Sequence, residues 1–514
     1  MASDPIATHY NPAGLALQPT GVSLDANLSW NQVCFDRRNP GNAPTGPRQE
    51  ADPDVAAGLQ YDPACNARGD FPTTVPSIAV AFRLSRDVGV GIAVVPPAAY
   101  GARDEEWSPV TKGYNADPAV RAPQTVPAPY RYMTVGAQST LLFPTASVGW
   151  AISPDVRIGA GFVSGIAVIN VWAVSAAKVR ASDVGDHANE DAQSHLITGD
   201  LFVPGVVLGL QASASRFFDV ALWARYLDAI RTHEGRLTVL GRYYNDDLSA
   251  PRPVCSNPDA YSTECQGQAI RNEFRGDDFK RFELPLPPEV RAGVRFHQPR
   301  RAPGAPAAES SDPLRDDVFD VELDASYSVN SVSDVIRVRL GGAADGTASV
   351  PVIPVGELPP NADRYTGFQD SFGLRLGGQW NPLPEKLGLR LGTWFESAAA
   401  RDDYLHVTPV PAARGGFGGG VVVRQDRLDV QLGYQRHWSA TMDNQGEGSL
   451  PGNAGVLEPC AGQGCPAPGT GTEPPFQVGK APVDQQFRTF QAVNGGRVTQ
   501  SAHVVTLGAV LRFE

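Results

Sequence analysis

The chain of 514 residues carries a net charge of −12 and a mean hydropathy of −0.21. That length allows two or three soluble domains or one large closed sheet, while the acidic balance argues against nucleic acid as a partner. No run of about 18 apolar residues occurs, so no transmembrane helix is predicted; a β-barrel stays open, because its lipid face uses only alternate positions.

In chain order, THYNPAGLALQ (8–18) is a turn-forming stretch, and strict alternation follows it. Val22, Leu24, Ala26, Leu28 and Trp30 share one face; Ser23, Asp25, Asn27 and Ser29 share the other. The pattern returns as Ile78, Val80, Phe82, Leu84, then Val88, Val90, Ile92, Val94, then Ala146, Val148, Trp150, Ile152, and Val156, Ile158, Ala160, Phe162. Further along are Phe218, Val220, Leu222, Ala224, Tyr226, then Val290, Ala292, Val294, Phe296, and Phe319 through Val321, Leu323, Ala325, Tyr327 and Val329. The last are Phe372, Leu374, Leu376; Leu387, Leu389, Leu391; Leu428, Val430, Leu432, Tyr434; and Val505, Leu507, Ala509, Leu511, Phe513. Period two sustained this widely predicts an all-β chain. The one competing element is a short helix expected around 176–193.

The 53 glycines and 45 prolines cluster between these segments, as turns and loops require. Short links alternate with long ones at 36–74, 98–131, 174–199, 243–278, 342–367, 401–414 and 440–495. Only the link at 297–316 breaks the rule, being long where a short one is expected. Short turns at one end and long loops at the other predict a transmembrane antiparallel barrel of about 14 strands, with both chain ends on the short-turn side. No cleavable signal is visible, so the chain is read as a mature form, a shortened one, or one whose start at Met1 is displaced.

The six cysteines fall in the long loops or at a strand end: Cys34 and Cys65, Cys255 and Cys265, Cys460 and Cys465. Three local disulfides in an oxidising envelope compartment are expected. Opposite the apolar sets lie Asp25, Arg157, Asp219, Arg225, Glu289, Arg291, Arg295, Asp320, Glu322, Asp324, Arg375, Arg390, Asp429 and Arg512. In a membrane barrel this face must be the lumen, since an Arg or Lys at mid-depth on the lipid face costs roughly 2–4 kcal/mol. These charges are expected to pair across the lumen and brace it.

One segment departs from that pattern. Gly89, Gly91, Ala93 and Val95, with Ala79 and Ala81 on the neighbouring strand, make the inward face small and apolar, and Pro96 and Pro97 follow at once. Two prolines remove two backbone donors from a ladder. Either they open the wall sideways for a greasy molecule, or they only end the strand; the spacing leaves both readings standing. On the first, the six small residues line a substrate path and the prolines mark a lateral opening.

Rival chemistries find little support. GFVSG at 161–165 is not a nucleophile elbow and sits on a strand. Asp186, His187, Glu190, Asp191 and His195 match no zinc or calcium spacing, and GGFGGG at 415–420 lacks the strand-then-helix context of a phosphate loop. No enzyme activity, cofactor or metal is expected. A structural or adhesive barrel without a passage is the alternative, and an unbroken ladder near Pro96 would favour it.

The segment SDPIATHY–NPAGLA (3–16) resembles the N-terminal hatch of the FadL/TodX outer-membrane transporters of hydrophobic compounds. The resemblance runs on through VPSIAVAFRLSRDVGVGIAVVPPAAYG (75–101), LPLPPEVRAGVRF (284–296), SFGLRLGGQWNPLPEKLGLRLGTWF (371–395) and the terminal strand. It implies a hatch at 1–20, shorter than the family's, with its turn at Asn11, Pro12, Ala13 and Gly14, inside a barrel at 21–514. It further implies passive uptake of fatty acids or hydrocarbons by a monomer among outer-membrane lipid and lipopolysaccharide, with release at a kinked third strand. The final Glu514, one place past an aromatic, and the loops depart from the family pattern.

Overall fold

The computed structural model describes residues 4–37, 59–61, 63–66, 73–96, 103–107, 110–115, 123–127, 130, 133–175, 191–242, 271–276, 279–300, 312–340, 350–352, 356–358, 364–446 and 495–513.

Fourteen antiparallel strands form one closed barrel. They are β1 (Gly21–Arg37), β2 (Thr73–Arg83), β3 (Val88–Val95), β4 (Thr134–Ala151), β5 (Val156–Ser175), β6 (Asp191–Ser213) and β7 (Phe218–Leu227). The second half comprises β8 (Glu289–Pro299), β9 (Asp317–Ser328), β10 (Ser371–Leu383), β11 (Leu387–Glu396), β12 (Arg414–Gln425), β13 (Leu428–Ser439) and β14 (Gly496–Arg512). Each pairs with its neighbour in sequence, and β1 meets β14 from Gly21↔Arg512 to Arg37↔Gly496. Pairing of β1 with β14 removes the two outer edges of the sheet, and closure is the condition for a sheet to span a membrane.

The alternation has the orientation expected from sequence. On β9, Leu323 is 52% exposed on the outer wall, whereas Asp320, Glu322 and Asp324 between its neighbours face the lumen, half-buried. Inside, charges pair from strand to strand, Arg225 with Glu289 at 3.2 Å and Arg295 with Asp320 at 2.9 Å, and along β8 itself, Arg291 with Glu289 at 2.6 Å. The glycines at 415–420 lie within β12, hydrogen-bonded to both neighbouring strands.

Cys34 on β1 is joined by a disulfide to Cys65, the residue opposite it in register; Cys255, Cys265, Cys460 and Cys465 lie outside the described residues. The helix expected at 176–193 is corrected at its end, because residues 191–193 already belong to β6 and pair with β5 through Val174↔Gln193. Strand pairing there overrides a weak local preference. His195, once a metal candidate, stacks on Trp172 with centroids 4.6 Å apart and shares a 2.6 Å hydrogen bond with Asn170. Asp191 stands at the start of β6, opposite Arg242, while Asp186, His187 and Glu190 lie outside the described residues.

Candidate functional site

The N-terminal segment is folded inside the lumen. A one-turn helix, α1 (Ala7–Tyr10), is followed by a 3-10 turn at Pro12–Leu17. Asn11 joins them: its side-chain oxygen accepts from the Ala13 N–H at 3.2 Å, and Pro12 occupies the first helical position, where no donor is missed. Asn11 also donates to the Leu210 carbonyl at 3.4 Å. Pro12, Ala13, Gly14 and Leu15 are buried, so the expected hatch turn lies against the barrel wall.

The wall is shaped to receive it. A Cβ at Gly89 would collide with the Leu15 carbonyl oxygen, one at Gly91 with the Thr8 hydroxyl, and one at Gly159 with the Pro12–Ala13 peptide. Ala81 packs with Ala7 and Leu15, while Ala79, Ala93 and Val95 pack beneath Ile6 and Tyr10. The six small residues singled out from the sequence are therefore gathered in one place, covered by the hatch.

Polar contacts fix the register of the hatch. Ser147 donates to the Thr8 carbonyl at 2.6 Å. The Thr145 hydroxyl donates to the Phe143 carbonyl at 3.0 Å, and so it accepts from His9 Nδ1 at 2.9 Å, which sets the His9 tautomer. The His9 ring stacks on Phe143 with centroids 5.9 Å apart. Around it lie Trp223, with the Arg291 guanidinium 4.9 Å from its ring, and Arg225, which lies 5.2 Å from the Phe143 ring.

Above this floor the lumen turns apolar. Leu141, Phe143, Val163, Val203, Val207 and Trp223 from β4–β7 form one buried cluster, joined by Phe279 and Phe282 from the long-loop end. Sequence reading missed this half. Its signal was available: β6 reads Val206, Val207, Leu208, apolar at both parities, as strands buried on both faces do. Trp223 likewise shares its face with Asp219 and Arg225.

Beside the cluster the register between the described β3–β4 pairs changes. β3 and β4 pair from Val88↔Trp150 to Val95↔Phe143, and the next described pair is Arg103↔Ser139. Between these pairs the chain carries 96–102 on one side and 140–142 on the other. Pro144 on β4 lacks an N–H, and the β4–β5 register skips the positions opposite Phe143 and Pro144 while β3 stays paired with both. Pairing of β2 with β3 also stops at Ile78↔Val94, so among the described residues 73–77 are bonded on the β1 side only. Pro96 is buried at the end of β3, and Pro97 lies outside the described residues.

The opposite half is polar. A cavity of about 690 Å³ extends from Gly14 and Gln18 of the hatch across to Arg157, Asp320, Arg375 and Arg390.

No protein-family model matches this sequence, and no curated protein does. Solved structures do. A Pseudomonas aeruginosa FadL homologue is 13% identical, with a TM-score of 0.60 over 100% of this chain and 95% of its own. The Pseudomonas putida toluene transporter TodX is 10% identical, with a TM-score of 0.52 over 100% and 95%. At such identities the likeness is one of fold, and the fold of this chain is a closed fourteen-stranded antiparallel barrel of the FadL/TodX type.

Proposed function

We propose that the protein is a passive bacterial outer-membrane transporter that takes up hydrophobic molecules, fatty acids or hydrocarbons, and releases them sideways into lipid. The change of register between Val95↔Phe143 and Arg103↔Ser139, with 96–102 set against only 140–142 on the side where the lumen is apolar, carries this reading. A barrel whose fold is shared with a toluene transporter supports it. An apolar ligand gains roughly 0.8 kcal/mol per buried methylene on entering the cluster. The polar half offers no such gain, so the ligand keeps to β3–β7. Ile6, Tyr10 and Leu15 cover Ala79, Ala81, Gly89, Gly91, Ala93 and Val95; a shift of the hatch turns those residues into the wall of the exit path. The protein works as a monomer among lipid and lipopolysaccharide, and no step requires a cofactor or catalysis.

The test replaces Pro96 and Pro97 together by Thr, restoring two donors, and measures fatty-acid and hydrocarbon uptake by intact cells. Uptake falls severalfold if release is lateral. Unchanged uptake with the barrel correctly inserted would refute the lateral route and leave the structural or adhesive barrel as the better reading.

A further inference from the structure

The link between β8 and β9 is long where the other described links at that end are short, and its described part turns back into the barrel. Helix α2 (Pro313–Asp316) places Leu314, only 4% exposed, against the inward side of Gly388, beside Asn381 and Val422. Asn381 Nδ2 donates to the Pro313 carbonyl at 2.9 Å and to the Asp317 carbonyl at 3.0 Å. Arg424 of β12 holds both carboxylate oxygens of Asp312, within 3.1 Å, and reaches Asp429 at 2.6 Å; Arg512 of β14 binds the other oxygen of Asp429. The side chains of Arg424, Asp312 and Asp429 are 8%, 9% and 4% exposed.

The two inserts divide the mouth. The hatch fills the side of β3–β6, and α2 fills the side of β10–β14; the polar cavity lies between them, with Pro313 in its lining. Side chains alone fill a barrel of about 8 strands, while 16–18 strands leave an aqueous channel, so a barrel of this size conducts unless something blocks it. The geometry points to a second stopper: residues 312–316 seal the polar half of the lumen at the short-turn end, latched by the Arg424–Asp312 pair. This assigns a role to the anomalous link and stands apart from the uptake reading, because it concerns ions and small polar solutes.

The experiment records ion current through the purified full-length protein in planar bilayers. The wild type passes little current, and the double variant Asp312→Asn with Leu314→Ser raises it about tenfold. Uptake of hydrophobic compounds, followed in cells carrying the same variant, stays unchanged. A double variant that keeps the heat-dependent gel mobility of a folded barrel yet conducts no more than wild type overturns the proposal, as does an open-pore current in the wild type. Should the double variant not fold, Asp312→Asn alone, which breaks the latch and keeps Leu314 in place, replaces it; a current no higher than wild type again overturns the seal.

Discussion

The Trp223 indole N–H donates to the His9 carbonyl oxygen at 3.1 Å, tying the barrel wall to a hatch residue 214 positions away in sequence. The bond is buried, so its loss leaves a carbonyl without a partner, at a cost of about 1–3 kcal/mol. Trp223→Phe keeps an aromatic ring in the cluster and removes only the donor. Amide exchange across 7–17 then accelerates, while exchange in the strands stays as in wild type.

Seating of the hatch depends on the missing side chain at Gly159, where the Pro12–Ala13 peptide approaches the wall. Gly159→Val has no flexible neighbour to displace and forces the hatch off, an overpacking cost of about 1–3 kcal/mol. Limited proteolysis finds new cleavage before Gly21 in this variant, with the barrel intact on gels.

Leu323 stands on the lipid face and Asp324, the next residue, on the lumen face. Leu323→Arg destabilises the inserted barrel by roughly 2–4 kcal/mol, read as a lower urea midpoint for unfolding from liposomes. An equal midpoint would mean that this face is not in hydrocarbon.

The Cys34–Cys65 disulfide closes a loop with a sequence separation of 31. Chain-entropy reasoning assigns such a closure about 4 kcal/mol. Cys34→Ser with Cys65→Ser leaves the barrel assembled but opens the region of 59–66 to proteases, as treatment of wild type with a reductant also does.

Acid tests the latch. Burial pushes the Asp312 carboxyl up, but the hydrogen bonds and charge of Arg424, with Arg512 and Arg315 adding, outweigh it and hold it below the ordinary carboxylate range. Asp429 and Asp316 are the acidic neighbours of the same network. A depressed folded-state value means that the stabilisation is complete above the unfolded value of about 4 and is lost as pH falls through the lower folded value. Bilayer current therefore stays flat from about pH 7 to about pH 4 and rises only below that. A rise above about pH 5 would tell against Arg424 as the latch.

The strands were legible because a lipid-facing wall imposes period two on every spanning segment: Phe319 through Val329 announces β9 with no knowledge of its neighbours. The small inward face of β2 and β3 was legible too, but what covers it was not. Gly89 and Gly91 read as an apolar strip, and only the fold shows Leu15 and Thr8 pressed against them. The link at 297–316 stood out by its length alone. The pairing of Asp312 with Arg424, 112 positions apart, has no local signature.

By itself, then, the sequence determined which face of each segment meets lipid, how many segments there are and at which end the long loops lie, because these follow from hydrophobicity repeated along the chain. The tertiary structure alone decided how the lumen is filled. Hatch, aromatic floor and α2 are each short, and each is held by contacts between residues far apart in sequence, such as His9 with Trp223 and Asp312 with Arg424, which no local pattern encodes.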